Sequence, residues 1–212
     1  KLPSPLKRIQ ILEFPSRSIL SSIMLMQRAL PVIVFTLVLI SARIIGALNS
    51  ESLGNLQPFG SLFFCGMALF GSRGVILASA TWLISYPITS IIQGYPMGLE
   101  ILVPIIGFAA MVGLANFFKR SSPLKTFTGS LLGAVIFYLI TNALSWALDP
   151  LYATKSLTTL GQALWTGLPG YAPTWLFFRN AMIAQAVFSG VFLAATRTIS
   201  PYSEKKAANA YS

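Results

Sequence analysis

Stretches of about twenty predominantly apolar residues recur along this chain, the length an α-helix needs to cross a hydrocarbon core of ~30 Å. Within them, residues 32–40 and 134–140 lack the strict apolar/polar alternation of a barrel strand. A membrane β-barrel needs that alternation in short segments, so helices are the expected spanning element. Composition agrees: 55% of the residues are hydrophobic, 9% are charged and the mean hydropathy is +0.72, whereas about a quarter of a soluble domain is charged. The reading is an all-α polytopic membrane helical bundle of about six transmembrane segments in one domain, with lipid as its main solvent.

Residues 1–28 mix Lys7, Arg8, Arg17 and Arg28 with Ile9, Leu12, Phe14 and Leu20, the pattern of an amphipathic arm on the cytoplasmic leaflet. No cleavable leader is expected, because about thirty residues of basic, mixed sequence precede the first long apolar run. The membrane domain, 29–197, is expected to hold spans at 29–48, 58–70, 75–92, 99–118, 128–148 and 175–196. The second is short for a full crossing, so segment 53–57 is expected to fold into its mouth. Pro87 and Pro104 fall inside the third and fourth spans and should kink or break them. Gly and Pro residues between 149 and 174 predict a loop carrying an interfacial helix. The polar tail, 198–212, is expected to be disordered from Ser200 onward.

A net charge of +10 raises the question of nucleic acid, which the placement of the charges answers. With six spans and both termini cytoplasmic, the arm, the Arg73 turn, the Lys119–Lys125 loop and the tail hold twelve of the fifteen Lys and Arg residues. The opposite side receives Glu51, Glu100 and Asp149. That asymmetry is the positive-inside rule, and it predicts a multi-pass protein of the bacterial cytoplasmic (inner) membrane with no nucleic-acid partner.

Chemistry is restricted just as firmly. Cys65 is the one cysteine and there is no histidine, so a disulfide framework, a thiolate cluster and histidine-based acid/base or zinc chemistry are excluded. No Ser/His pairing, phosphate-cradling loop or carboxylate pair within a span is present. Neither an enzyme, a metal site nor a cofactor is expected.

The residues that remain to carry a function are polar groups near the external ends of spans. Arg43 and Arg179 both fall there without an acid in any span, so each must snorkel, pair with carbonyls, amides, rings or external acids, or meet an anionic ligand. Tyr138, Asn142 and Trp146, spaced i, i+4 and i+8, share one face of the fifth span. Trp175 and Arg179 are also i, i+4, so the indole is placed to stack on the guanidinium, with Asn180 beside it. The alternative for the tryptophans is an aromatic belt at the interface. Ala42 with Gly46, Gly107 with Ala110 and Gly113, and Gly129 with Gly133 are small residues at helix-packing spacing.

Taken in order, the segments Asn55-Leu56-Gln57-Pro58-Phe59-Gly60-Ser61-Leu62, Leu69-Phe70-Gly71, Gly129-Ser130-Leu131-Leu132-Gly133 and Thr141-Asn142-Ala143-Leu144-Ser145-Trp146, closed by Leu176-Phe177-Phe178-Arg179-Asn180, resemble a bacterial family of uncharacterised membrane proteins, of the domain of unknown function 6580 type. That family looks like the S components, the substrate-binding subunits of energy-coupling factor transporters. The resemblance covers roughly residues 30–195. It implies six helices, external capture of a small molecule, and service by a T component and two ATPase subunits. It also implies that Asn55, Pro58, Asn142, Trp146, Arg179 and Asn180 surround an external pocket, and that Ala42 and Gly46 face the T component. The chain departs from the pattern at Ser85-Tyr86-Pro87, where an acid is expected after the serine.

The expected function is therefore an S-component-like subunit for uptake of a small polar or anionic molecule, without an ATPase of its own. Its ligand groups would be Arg43, Asn55, Tyr138, Asn142, Trp146, Trp175, Arg179 and Asn180. The alternative is a non-catalytic accessory subunit of a larger bacterial membrane complex, binding lipids and partner helices. That alternative predicts an outer cavity filled by side chains.

Overall fold

The computed structural model describes residues 33, 36–49, 53–94 and 98–210, with side chains through Thr196. The amphipathic arm expected over 1–28 and the external acid Glu51 lie outside the described residues. Two compact units divide the chain after Val38, and the contacts given below belong to the second, 39–212.

Among the described residues every regular element is helical. Helix α1 covers Thr36–Leu48. Helix α2, Phe59–Cys65, widens into a π-helical turn at Gly66–Phe70. Helix α3 is Ser72–Gln93, and a 3-10 turn at Leu99–Ile101 leads into α4, Leu102–Asn116. Helices α5, Pro123–Leu148, α6, Leu157–Leu164, and α7, Thr174–Ala210, complete the fold. Four stretches, Ser72–Gln93, Leu99–Asn116, Pro123–Leu148 and Thr174–Thr196, are long and apolar enough to cross a membrane. Only 17–33% of their most apolar windows is buried within the bundle, so residues such as Ile76, Ile91 and Val191 turn outward. An apolar exterior of that extent belongs to a helical membrane protein.

Local chemistry explains where the helices begin and end. Ser122 caps α5 by accepting from the Lys125 amide at 3.4 Å, with Pro123 in the first helical position, where its missing N–H costs nothing. The fifth span therefore starts at Pro123 rather than near 128, taking part of the expected basic loop. Gly94 closes α3 in the left-handed conformation. A reciprocal Ser156–Thr159 capping box starts α6, the interfacial helix expected between 149 and 174.

Three expectations need correction. Pro87 does not break α3, which runs through it to Gln93. The ring removes one amide from the ladder, the partner of the Leu83 carbonyl, and the helix carries that single loss without ending. Pro104 interrupts nothing, because α4 begins only two residues earlier and the first turn needs no intrahelical amide there. The tail does not lose its helix at Ser200, since α7 continues to Ala210.

The bundle is built on an aromatic ladder and on close backbone approaches. Phe108 of α4 stacks on Phe63 of α2 at 4.3 Å between ring centroids and meets Phe137 of α5 at 4.7 Å and Trp82 of α3 at 5.6 Å. A Cβ added to Gly74 would lie 2.3 Å from the Gly66 carbonyl oxygen, so α3 touches the π turn backbone to backbone. Gly107 is covered by Phe137 and Thr141, Gly129 by Phe118, and Gly133 by Phe64 and Met111. These small residues seat neighbouring helices of the same chain.

Gly74→Val is expected to destabilise the detergent-purified protein by about 1–3 kcal/mol through overpacking. Gly113→Ala, where an added Cβ meets nothing within 4 Å, should change stability by less than about 0.5 kcal/mol. Thermal denaturation of the two variants tests the contact, and equal melting temperatures would count against it.

Candidate functional site

Non-helical backbone within a helical bundle is tolerated where it lines a cavity, and segment 53–57 lines one. It leaves the end of α1 in tight turns, with the Leu56 amide on the Leu53 carbonyl at 2.9 Å and the Gln57 amide on that of Asn55 at 3.0 Å. Asn55 adopts a left-handed φ of 63°, which asparagine tolerates better than most residues. The segment lies against Gly46 of α1, where a Cβ would stand 3.7–3.8 Å from the Leu56 and Leu53 carbonyl oxygens. Gly46 thus faces its own chain; half-buried Ala42 lies one turn earlier on α1.

Three cavities share the walls made by Asn55 and Gln57. The largest, about 530 Å³, is lined by the 53–57 segment, Arg43, Gln93 at the end of α3, Gly170–Ala172 before α7, and Phe177. It therefore opens at the end of the bundle opposite the Gly71–Arg73 turn and the 117–122 connection. A second, about 210 Å³, extends between Arg43, Trp82, Tyr86, Phe108, Phe137 and Asn142. A third, about 40 Å³, reaches toward Gln185 of α7. Beyond it lies a closed polar contact: Gln185 donates to the Ser189 hydroxyl at 3.3 Å, and Ser189 to that of Ser61 at 3.1 Å.

Arg43 stands in the walls of the two larger cavities. Its Cζ is 5.1 Å from the centre of the Phe59 ring and 5.5 Å from that of Trp82. Two aromatic faces offset part of the cost of burying the charge, but they accept none of its five N–H donors along the guanidinium plane. Nη1 is buried and has no hydrogen-bond partner.

The other expected site residues divide into two groups by where they stand. Asn142 lines the second cavity, its Nδ2 donating to the Tyr138 carbonyl at 2.8 Å. Tyr138, Trp146, Trp175, Arg179 and Asn180 line none of the three cavities. The Tyr138 hydroxyl donates to the Leu164 carbonyl, and Trp146 Nε1 to Thr159 Oγ1 at 3.0 Å. Both side chains therefore fasten α6 to α5. Arg179 is exposed, with Cζ 5.7 Å from the Trp175 ring centre and its Nε and Nη2 on Asn180 Oδ1 at 3.3 and 3.1 Å. Buried Asn180 in turn donates through Nδ2 to the Gly54 carbonyl at 2.9 Å. Trp175, Arg179 and Asn180 form a brace for the 53–57 segment, acting on the cavity through the backbone that lines it.

Sequence reasoning missed Gln57, Trp82, Tyr86, Thr89, Gln93 and Phe177, all of which line a cavity. The departure at Tyr86 marked one of them, and Gln57 adjoins Asn55 in the first quoted segment. Phe177 stands in the last quoted segment, two residues before Arg179, and Trp82, Thr89 and Gln93 carry no signal beyond being ordinary residues of a span. Among the described residues no three of His, Cys, Asp and Glu stand together as a metal site.

The model of a family of unknown function (DUF6580) matches residues 24–208. Comparison with curated proteins and with solved structures finds no match.

Asn180→Ala should free the Gly54 carbonyl and speed amide exchange across 53–57 about fivefold, the effect of one lost hydrogen bond of ~1 kcal/mol. Arg179→Ala should act in the same direction and more weakly. Hydrogen–deuterium exchange read at the 53–57 peptides checks both, and unchanged protection in Asn180→Ala would remove the brace.

Proposed function

The chain belongs to the DUF6580 family, and we propose that it is a non-enzymatic substrate-binding subunit of an uptake system in the bacterial cytoplasmic membrane, similar to the S components of energy-coupling factor transporters. In this reading the bundle spans six times with both termini in the cytoplasm, and a T component with two ATPase subunits supplies the energy. The supporting observation is Arg43, which lines an open cavity and whose Nη1 is buried without a hydrogen-bond partner. A guanidinium in that setting is costly unless an anionic or polar group meets it.

Orientation supports the same reading. The cavity opens at the end away from exposed Arg73 and from Lys119, Arg120 and Lys125. By the positive-inside rule those basic connections are cytoplasmic, which turns the cavity outward, where a capture subunit needs it. The accessory-subunit reading calls for an outer cavity filled by side chains, and an opening of about 530 Å³ weighs against it.

Single cysteines test the orientation against a low background, because Cys65 is buried. A membrane-impermeant maleimide is expected to label Ala172→Cys in intact cells and Ser121→Cys only after permeabilisation. The reverse pattern would put the cavity in the cytoplasm and end the capture reading. Affinity purification from native membranes should bring down a T component and ATPases; a fixed set of electron-transfer or photosynthetic subunits in their place would favour the accessory role.

A further inference from the structure

The smallest cavity ends on a group whose orientation the fold dictates. Resting on the binding-subunit reading, we propose that Gln185 is a specificity residue of the capture site. Its side-chain carbonyl oxygen accepts a hydrogen bond from a neutral N–H or O–H group of the captured molecule, of the carboxamide, urea or alcohol kind.

Hydrogen accounting fixes which end of the amide faces the cavity. Ser61 Oγ donates to the backbone carbonyl of Gln185 at 3.3 Å. A carbonyl can only accept, so the one hydroxyl hydrogen of Ser61 is committed there. Ser189 Oγ, 3.1 Å from Ser61 Oγ, is therefore the donor of that pair. With its own hydrogen given away, Ser189 can only accept from the Gln185 side chain, and Nε2, at 3.3 Å, is the end that has hydrogens to give. Turning the amide over would set two acceptors face to face, so the network holds this orientation. The other end, Oε1, is left with no hydrogen-bond partner among the described residues.

Surroundings make that oxygen a recognition group. Gln185 is 3% exposed and lines the 40 Å³ cavity with Asn55, Gln57 and Gly60. A Cβ on Gly60 would stand 2.5 Å from Oε1, so the glycine makes the room that the oxygen occupies. Oε1 is not sealed off, because among the described residues Arg43 Nη1 is the one fully buried side-chain nitrogen or oxygen without a partner. Phe59, Phe108, Met111 and Phe137 supply much of the remaining wall, and an acceptor in apolar surroundings costs free energy until a donor reaches it. Among the described residues no Asp or Glu lines any of the three cavities. An ammonium at Oε1 would therefore be desolvated without a counter-charge, whereas a neutral N–H or O–H matches a neutral oxygen.

Saturation-transfer NMR on the detergent-purified full chain, titrated with acetamide, acetone and methylammonium chloride, tests this directly. Acetone has the shape of acetamide with the NH2 group replaced by a methyl. Acetamide is expected to bind at least about fivefold more tightly than acetone, the effect of one hydrogen bond, although acetone is the more apolar. Methylammonium should bind no better than acetone. Gln185→Met keeps the length of the side chain without its acceptor and should bring the acetamide-to-acetone ratio to about one. The ratio is the readout because a purely structural loss weakens both probes alike. Gly60→Ala, whose methyl displaces Oε1, should lower the ratio as well and stands in should Gln185→Met fail to fold. Arg73→Gln, an exposed charge at the far end of the bundle, should leave it unchanged. Acetone equal to acetamide, the result if Oε1 serves a resident water only, would overturn the proposal. So would methylammonium at or above acetamide, a ratio unchanged in Gln185→Met, or no saturable acetamide binding. An acetamide preference in a chain that never associates with a T component leaves the role of Gln185 standing and sinks the transport reading. Association without that preference does the opposite.

Discussion

Hydrocarbon offers no hydrogen bonds, so every polar group that enters this bundle must find a partner inside it or line a space where a partner can come. Most of the interior follows from that constraint. Thr81, Ser85 and Thr89 along the buried stripe of α3 all return their hydroxyls to carbonyls three or four residues back. Gln185, Ser189 and Ser61 close on one another between α7 and α2. Asn180 spans two elements, taking the guanidinium of Arg179 on its oxygen and giving its amide to Gly54. Against this background of satisfied groups the Nη1 of Arg43, buried without a hydrogen-bond partner, stands out, on a residue that lines two cavities.

The same constraint shapes the backbone. Without a strong hydrophobic drive between helices in lipid, association depends on close packing, and here it is carried by glycines on one surface and aromatic rings on the other. Gly66 against Gly74 brings two backbones together, while Gly107, Gly129 and Gly133 each make room for a ring or a methionine. Tight seating on one side of α2 leaves Phe59, at its other end, under the guanidinium of Arg43. The cavity wall and the core are therefore one packed structure, which keeps an open pocket from collapsing onto its charge.

Long apolar spans, the short second helix with its folded-in approach segment, and the stacking of Trp175 on Arg179 were legible in the sequence, because each follows from spacing along one helix or from length against bilayer thickness. What faces the cavity was much less legible. Trp82 and Tyr86 come from α3 and Phe177 from α7, and whether an aromatic residue points at a neighbour, at lipid or into a space depends on helix rotation and crossing, which periodicity in an all-apolar helix does not encode. Tyr138 and Trp146 show the converse. Their spacing suggested a ligand-facing stripe, yet both are consumed by α6, a partner one connection away in sequence. Pro104 misled for a related reason: its effect depended on where the helix starts, not on proline alone.

Position 86 draws these strands together. The S-component-like reading proposed above expects an acid after Ser85, and the structure places residue 86 in the same cavity wall as Arg43. A carboxylate in that wall would face the guanidinium across a low-dielectric space, where opposite charges are strongly coupled, and would leave the cavity neutral overall. Tyrosine instead adds a ring, packed on Trp82 at 5.0 Å between centroids, and leaves the positive charge uncancelled. One residue thus sets both the sign of the cavity and the flatness of its wall. An arginine set against two rings, with no acid beside it among the described residues, is an arrangement that a bound anion would complete.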